Sequence, residues 1–139
     1  MKLVAIDPGR HTGFACFEGE NVQLSGMFLD DYPNVKSFFE VVKSFHPDEI
    51  VIESFRLAPQ KATAQFWDEM LTPQLIGIFR YWAWENQLPV ILQPPTAKQA
   101  FPDERLKKMG LYVDVIHTRD AIRHGLYRLH FGLKEKKRR

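Results

Sequence analysis

Two short runs constrain the fold more than anything else in the chain. Leu3 to Ile6 and Ile50 to Ile52 are unbroken apolar segments, and each is stopped by a carboxylate, Asp7 and Glu53. Apolar at every position rather than alternating, such runs make buried strands. Pro8-Gly9 turns the first through the tight link PGRHT into a second strand, GFACF, and NVQLSGMFL makes a third. Three strands with short links predict an antiparallel meander. In YPNVKSFFEVVKSFHP, Val35, Phe38, Phe39, Val42 and Phe45 recur at helical spacing, and Pro47 closes the segment. A strand reached through a helix tends to lie parallel to an earlier one, so DEIVIE is expected beside the first strand and in the same direction. Residues 61–87 predict a long helix, bent or broken near Pro73. LPVILQ reads as a fifth strand, TAKQAF and DERLKKMG as short helices split by Pro102, and DVIHTRDAIRHGLYRLHF as an amphipathic helix entering a basic tail. The order β-β-β-α-β-α-β-α is a mixed α/β pattern.

The 139 residues suit one compact domain. A single cysteine, Cys16, excludes an internal disulfide and fits a reducing, cytoplasmic setting. No apolar run approaches the ~20 residues of a membrane span, and the first strand begins at residue 2, leaving no place for a signal peptide. The net charge is +2, but the last six residues, KEKKRR, carry five positive charges and one negative, so the rest of the chain is net −2. Nucleic acid binding would therefore rest on localised basic groups and the tail. The tail itself reads either as a solvated end or as a phosphate contact. The expected division is a domain over residues 1–133 and a basic tail over 134–139.

If strands one and four are parallel neighbours, Asp7 and Glu53 emerge at the same sheet edge, where open α/β sheets bind ligands. Two carboxylates at the edge of a dry core raise each other's pKa, and burial raises both. A divalent cation resolves that conflict, and hard oxygen ligands favour Mg²⁺ or Mn²⁺. The last helix adds HTRDA, in which His117 and Asp120 sit three apart on one face, with Asp114 three before and His124 four after. Docked on the strand ends, that face completes a set of Asp7, Glu53, His117 and Asp120, enough for two ions. Each residue also has a plainer role. Asp7 before Pro-Gly is a common turn former, Glu53 a strand-end charge, His117 an exposed helix residue, and Asp120 a partner for Arg123 or His124. The conjunction carries the case.

At these residues the chain resembles the RuvC-type Holliday junction resolvases of the RNase H-like superfamily. AIDPGRHTGFAC is similar to their first motif, IVIESF to their second and HTRDAIRHGLYRL to their last, in order from residue 3 to about residue 131. The resemblance implies a five-stranded mixed sheet in order 3-2-1-4-5 flanked by helices. It implies a homodimer that binds a four-way DNA junction and nicks two opposing strands symmetrically, using Mg²⁺ with Mn²⁺ able to substitute. Asp7, Glu53 and Asp120 take the three acidic positions, and His117 stands where the family uses an acid or a histidine. The chain is shorter than the usual bacterial enzyme, which suggests a phage-type member in a bacterial or phage-infected cell. The family places a junction-wedging aromatic after the second acid, and Phe55 and Phe66 are both offered.

Basic groups are candidates for the DNA backbone: Arg10 and His11 beside Asp7, Arg56 and Lys61 interleaved with Phe55, then Lys98, Arg105, Lys107 and Lys108. Phe55 reads equally as a core anchor and Lys108 as solvated surface. The resemblance singles out Lys98 as serving both DNA and the site. The long helix is apolar nearly all round, from Phe66 and Trp67 to Tyr81, Trp82 and Trp84, so one face is expected on the sheet and another on a second subunit. Three alternatives compete. DPGRHTG also resembles the phosphate loop of actin-like sugar kinases, which need two such domains. An RNase H-like nuclease acting on other branched DNA or on RNA precursors shares the first motif. A non-catalytic protein binding branched DNA would not need four intact ligands.

Overall fold

A computed structural model of the chain describes residues 1–55 and 70–132. Arg56, Lys61, Phe66 and the 134–139 tail lie outside the described residues. The meander is present as β1 (Lys2–Asp7), β2 (His11–Glu18) and β3 (Asn21–Leu29), followed by helix α1 (Tyr32–Phe45) and strand β4 (Glu49–Glu53). Then come α2 (Leu71–Glu85), β5 (Val90–Gln93), a 3-10 turn (Pro95–Ala100), α3 (Asp103–Met109) and α4 (Ile116–Tyr127), which runs into a π-helical turn (Arg128–Gly132). The sheet order is β3-β2-β1-β4-β5. β1 pairs antiparallel with β2 and parallel with β4, and β4 pairs parallel with β5. The expected mixed sheet and its strand order are therefore observed.

The two faces of the sheet alternate residue by residue. Val4, Ile6, Cys16, Ile50 and Ile52 pack with α1 and α2, including Phe38, Val42, Leu75 and Phe79. Leu3, Ala5, Phe17 and Val51 pack with α3 and α4, including Leu106, Ile122 and Leu126. Period two carries Asp7 onto the side of Leu3 and Ala5, and Glu53 onto the side of Val51. Both acids thus face the layer that holds α4.

Local chemistry accounts for the element ends. Asp31 caps α1 by accepting from the Asn34 backbone N–H at 2.9 Å, and His46 ends the helix in the left-handed region. The long helix expected over 61–87, bent or broken near Pro73, is described from Leu71 onward, and residues 61–69 lie outside the described residues. Pro73 falls in the first turn of α2. There the missing N–H costs nothing, because the first turn has no carbonyl to receive it. TAKQAF forms the 3-10 turn rather than an α-helix, opening on Pro94-Pro95. Asp114 falls before the start of α4 and is exposed, so it does not extend the helical face of His117.

Cys16 is fully buried, and burial pushes its thiol up to about 11. The native protein should react with a thiol reagent at pH 8 at least about 1,000-fold more slowly than the denatured chain, since the group must wait for an opening. Stoichiometric labelling of the native protein within minutes would contradict this packing.

Candidate active site

The site lies where β1, β4 and β5 end together. The parallel register pairs Ile6 with Ile52 and Glu53 with Gln93, so Asp7, Glu53 and Gln93 close three neighbouring strands. The Pro8-Gly9-Arg10 turn after Asp7 is tied by Thr12. Its hydroxyl donates to the Gly9 carbonyl at 2.7 Å and accepts from the Gly9 N–H at 3.3 Å. The turn is therefore closed on itself, and Pro8 lines the same cleft as Asp7. Gly13, opposite Asp7 in the β1–β2 register, lets α4 settle directly on β2. A Cβ on Gly13 would come within 1.9 Å of the His117 carbonyl oxygen. That close approach brings His117 Nδ1 to 3.4 Å from Asp7 Oδ2, and the His117 ring stacks on His11 with centroids 5.9 Å apart.

The other expected members converge on the same spot. Lys98 Nζ, from the 3-10 turn after β5, lies 3.2 Å from Glu53 Oε1 and 3.7 Å from Asp120 Oδ2. Asp120 also accepts from Arg123 Nη1 at 2.8 Å, the pairing that its plainer reading anticipated. His124, one turn further along α4, points its Nε2 at Glu53 Oε2 from 3.1 Å. A cleft of about 240 Å³ opens beside the acids and is lined by Asp7, Pro8, Glu53, Phe55, Thr72 and Pro95. A larger, more apolar hollow of about 370 Å³ lies elsewhere, between the starts of α1 and α2, and holds no such cluster.

Electrostatics follow the crowding. Burial pushes the Asp7 carboxyl well above the carboxylate range; a hydrogen bond to Glu53 and the charges of Glu53 and Asp120 add to it, and Lys98 opposes. Burial also works upward on Glu53, but the His124 imidazole, Asp7 and Lys98 outweigh it and hold Glu53 below its ordinary value. Burial would lower Lys98, yet the surrounding carboxylates, led by Glu53, hold its ammonium above its ordinary value.

Among the described residues no three His, Cys, Asp or Glu side chains converge closely enough to hold a metal ion as they stand. The donor set nevertheless fits a hard cation. Three carboxylates surround one ammonium, and Asp7 is driven toward its neutral form by burial and by its acidic neighbours. One added cation answers both observations.

The basic candidates divide. Arg10 is exposed at the tip of the first turn. Phe55 packs partly on the core while forming a wall of the cleft. Arg105 donates to the Ala100 carbonyl at 2.9 Å and lies over the Phe101 ring, and the Lys107 ammonium lies over Tyr112. Arg119 and Arg123 are both tied to Asp103. The sequence placed His124 on the face of Asp120 and as a candidate partner for it, whereas the imidazole meets Glu53; Gln93 carried no signal.

No protein-family model matches the chain, and no curated protein matches it. Solved structures do. Thermus thermophilus RuvC in complex with Holliday junction substrate superposes with a TM-score of 0.78 at 17% identity, covering 96% of both chains. The chain has the RuvC fold. A second T. thermophilus RuvC structure gives a TM-score of 0.70 at 17% identity over 97% of both chains. The Fowlpox virus resolvase, described with substrate Holliday junction DNA, gives 0.60 at 12% identity over 91% of this chain and 97% of that one. The superpositions extend over nearly the whole chain, and at identities this low they show the fold alone. They confirm the expected fold.

Proposed function

We propose that this chain is a structure-selective endonuclease that resolves four-way DNA junctions by symmetric, metal-dependent nicking of two opposing strands. The observation that carries the reading is the carboxylate cluster of Asp7, Glu53 and Asp120 at the C-terminal edge of a RuvC-type sheet, short of positive charge. The likeness to two resolvases described with Holliday junction DNA supports the substrate class.

Asp7, Glu53, His117 and Asp120 would hold two divalent ions, Mg²⁺ with Mn²⁺ able to substitute. Bound there, the ions supply an activated water and charge stabilisation for the departing oxygen. The chain's own residues do the rest. The β1 and β4 ends fix Asp7 and Glu53, Arg123 holds Asp120, and the Lys98 ammonium offers positive charge to a phosphate entering the cleft. Phe55 gives that cleft a flat apolar wall on which an unpaired base can stack. Arg10 grips the backbone beside it, and Arg56, Lys61, Arg105 and Lys107 extend the contact along the junction arms.

Two cuts in fixed relation require two sites, and the reading therefore includes a homodimer. Its support is the outer face of α2, where Tyr81 and Trp84 are 62% and 73% exposed, and edge strand β5, where Leu92 is exposed beside them. No helix among the described residues is long and apolar enough to cross a membrane.

The test is one gel. A four-way junction and a duplex of the same sequence are incubated with the protein in Mg²⁺, Mn²⁺ or Ca²⁺. Paired, symmetric nicks on the junction alone, in Mg²⁺ and Mn²⁺, are the expected result. Equal cleavage of the duplex, or tight junction binding without cleavage in any metal, overturns it.

A further inference from the structure

Behind Glu53 lies a buried pair with no assigned part in the chemistry. His124 has no solvent exposure, and Gln93 is 4% exposed. Gln93 closes β5 directly opposite Glu53. Its Nε2 is 3.0 Å from the His124 backbone oxygen and 2.8 Å from His124 Nδ1. The backbone oxygen can only accept, so the amide nitrogen of Gln93, and not its oxygen, must face the helix. That nitrogen carries two hydrogens, one for the carbonyl and one for the ring. Nδ1 is therefore the accepting nitrogen, and the ring hydrogen sits on Nε2, 3.1 Å from Glu53 Oε2.

This assignment decides between two roles. An imidazole nitrogen that carries a hydrogen has no lone pair for a metal, so His124 cannot ligate through Nε2 while Gln93 donates to Nδ1. It can direct an N–H at the carboxylate. Nε2 and Oε2 are both buried and lie 3.1 Å apart, close enough to pair though not in full alignment, and neither has a hydrogen-bond partner elsewhere.

We propose that His124, locked in its Nε2–H tautomer by Gln93, is a positioning residue that fixes the Glu53 carboxylate for cation binding. Oε2 is held from behind by the imidazole, which orients Oε1 toward Lys98 and the other acids. The arrangement is the carboxylate counterpart of the outer hydrogen bonds that orient metal-bound histidines. The proposal rests on Glu53 being a cation ligand.

Two measurements on the full chain test it. The first is the ¹⁵N imidazole spectrum of the metal-free protein, which should place the His124 hydrogen on Nε2 and lose that preference in Gln93→Leu. A hydrogen on Nδ1 in the wild type overturns the proposal. The second is Mn²⁺ affinity by calorimetry, with melting temperature measured alongside. His124→Leu should weaken Mn²⁺ binding by about 10–100-fold. His124→Gln, which keeps a donor at the reach of Nε2, should restore it to near wild type. If both variants bind Mn²⁺ like the wild type while Glu53→Gln does not bind, the positioning role fails alone. If Glu53→Gln also binds normally, the cation site fails with it.

Discussion

Asp7→Asn should reduce junction cleavage by at least about 100-fold while leaving junction binding intact. Loss of an outer partner of a metal ligand already costs about 10–100-fold, and loss of the ligand itself costs more. The amide keeps the shape and the strand end, so the cleft and the basic groups around it are unchanged. The same substitution should raise the melting temperature of the metal-free protein at pH 7–8. The native fold holds the Asp7 carboxyl far above its ordinary value, through burial first and then Glu53 and Asp120. A raised carboxyl pKa means that the folded chain keeps a proton that the unfolded chain releases. Its contribution is fully present below the unfolded pKa and is lost as pH rises through the folded one. The asparagine has nothing to lose across that window. Added Mg²⁺ should stabilise the wild type and not the variant. Unchanged cleavage by Asp7→Asn, or an equal response to Mg²⁺, would sink the assignment.

Gly13→Ala should be the most damaging single-methyl change in the motif. The added carbon meets the backbone of His117 and Thr118, not the yielding tip of a side chain. Either α4 lifts from β2 or the strand bends, at a cost of about 3 kcal/mol, which for a chain of this size lowers the melting temperature by roughly 10 °C. Because His117 and Asp120 ride on α4, cleavage should fall along with stability. Gly9→Ala makes a control in the turn that precedes β2, where a Cβ meets only an ordinary contact at 3.5 Å. A Gly13→Ala protein that melts like the wild type would show that α4 is seated differently.

The parts of the site that were legible in the sequence are those set by period and punctuation. Unbroken apolar runs ending in Asp7 and Glu53 gave away two parallel strand ends, and three-residue spacing placed His117 and Asp120 on one face. Gln93 was invisible because its role depends on register with Glu53, which no pattern within β5 encodes. His124 was visible on the face of Asp120 and as its candidate partner, but not as the partner of Glu53, since a buried histidine does not announce its partner. The arginines of HTRDAIRH were legible only in part: the pairing of Arg123 with Asp120 follows from their spacing, whereas Asp103, sixteen residues before Arg119, ties both Arg119 and Arg123 from another helix. Pro73 is harmless in the first turn of α2, a start that no capping side chain marks.

The long separation of the site's members has a consequence for the life of the chain. His117 and Asp7 meet across 110 positions of sequence, and Lys98, Asp120 and His124 come from the same late stretch. A ribosome delivers β1 to β4, and with them Asp7 and Glu53, well before any of these. Until the 3-10 turn and α4 emerge and α4 docks on β2, the two acids lack Lys98 and their remaining partners. The acidic cluster is therefore completed last, and a chain cut short before α4 would hold Asp7 and Glu53 without His117, Asp120 or His124.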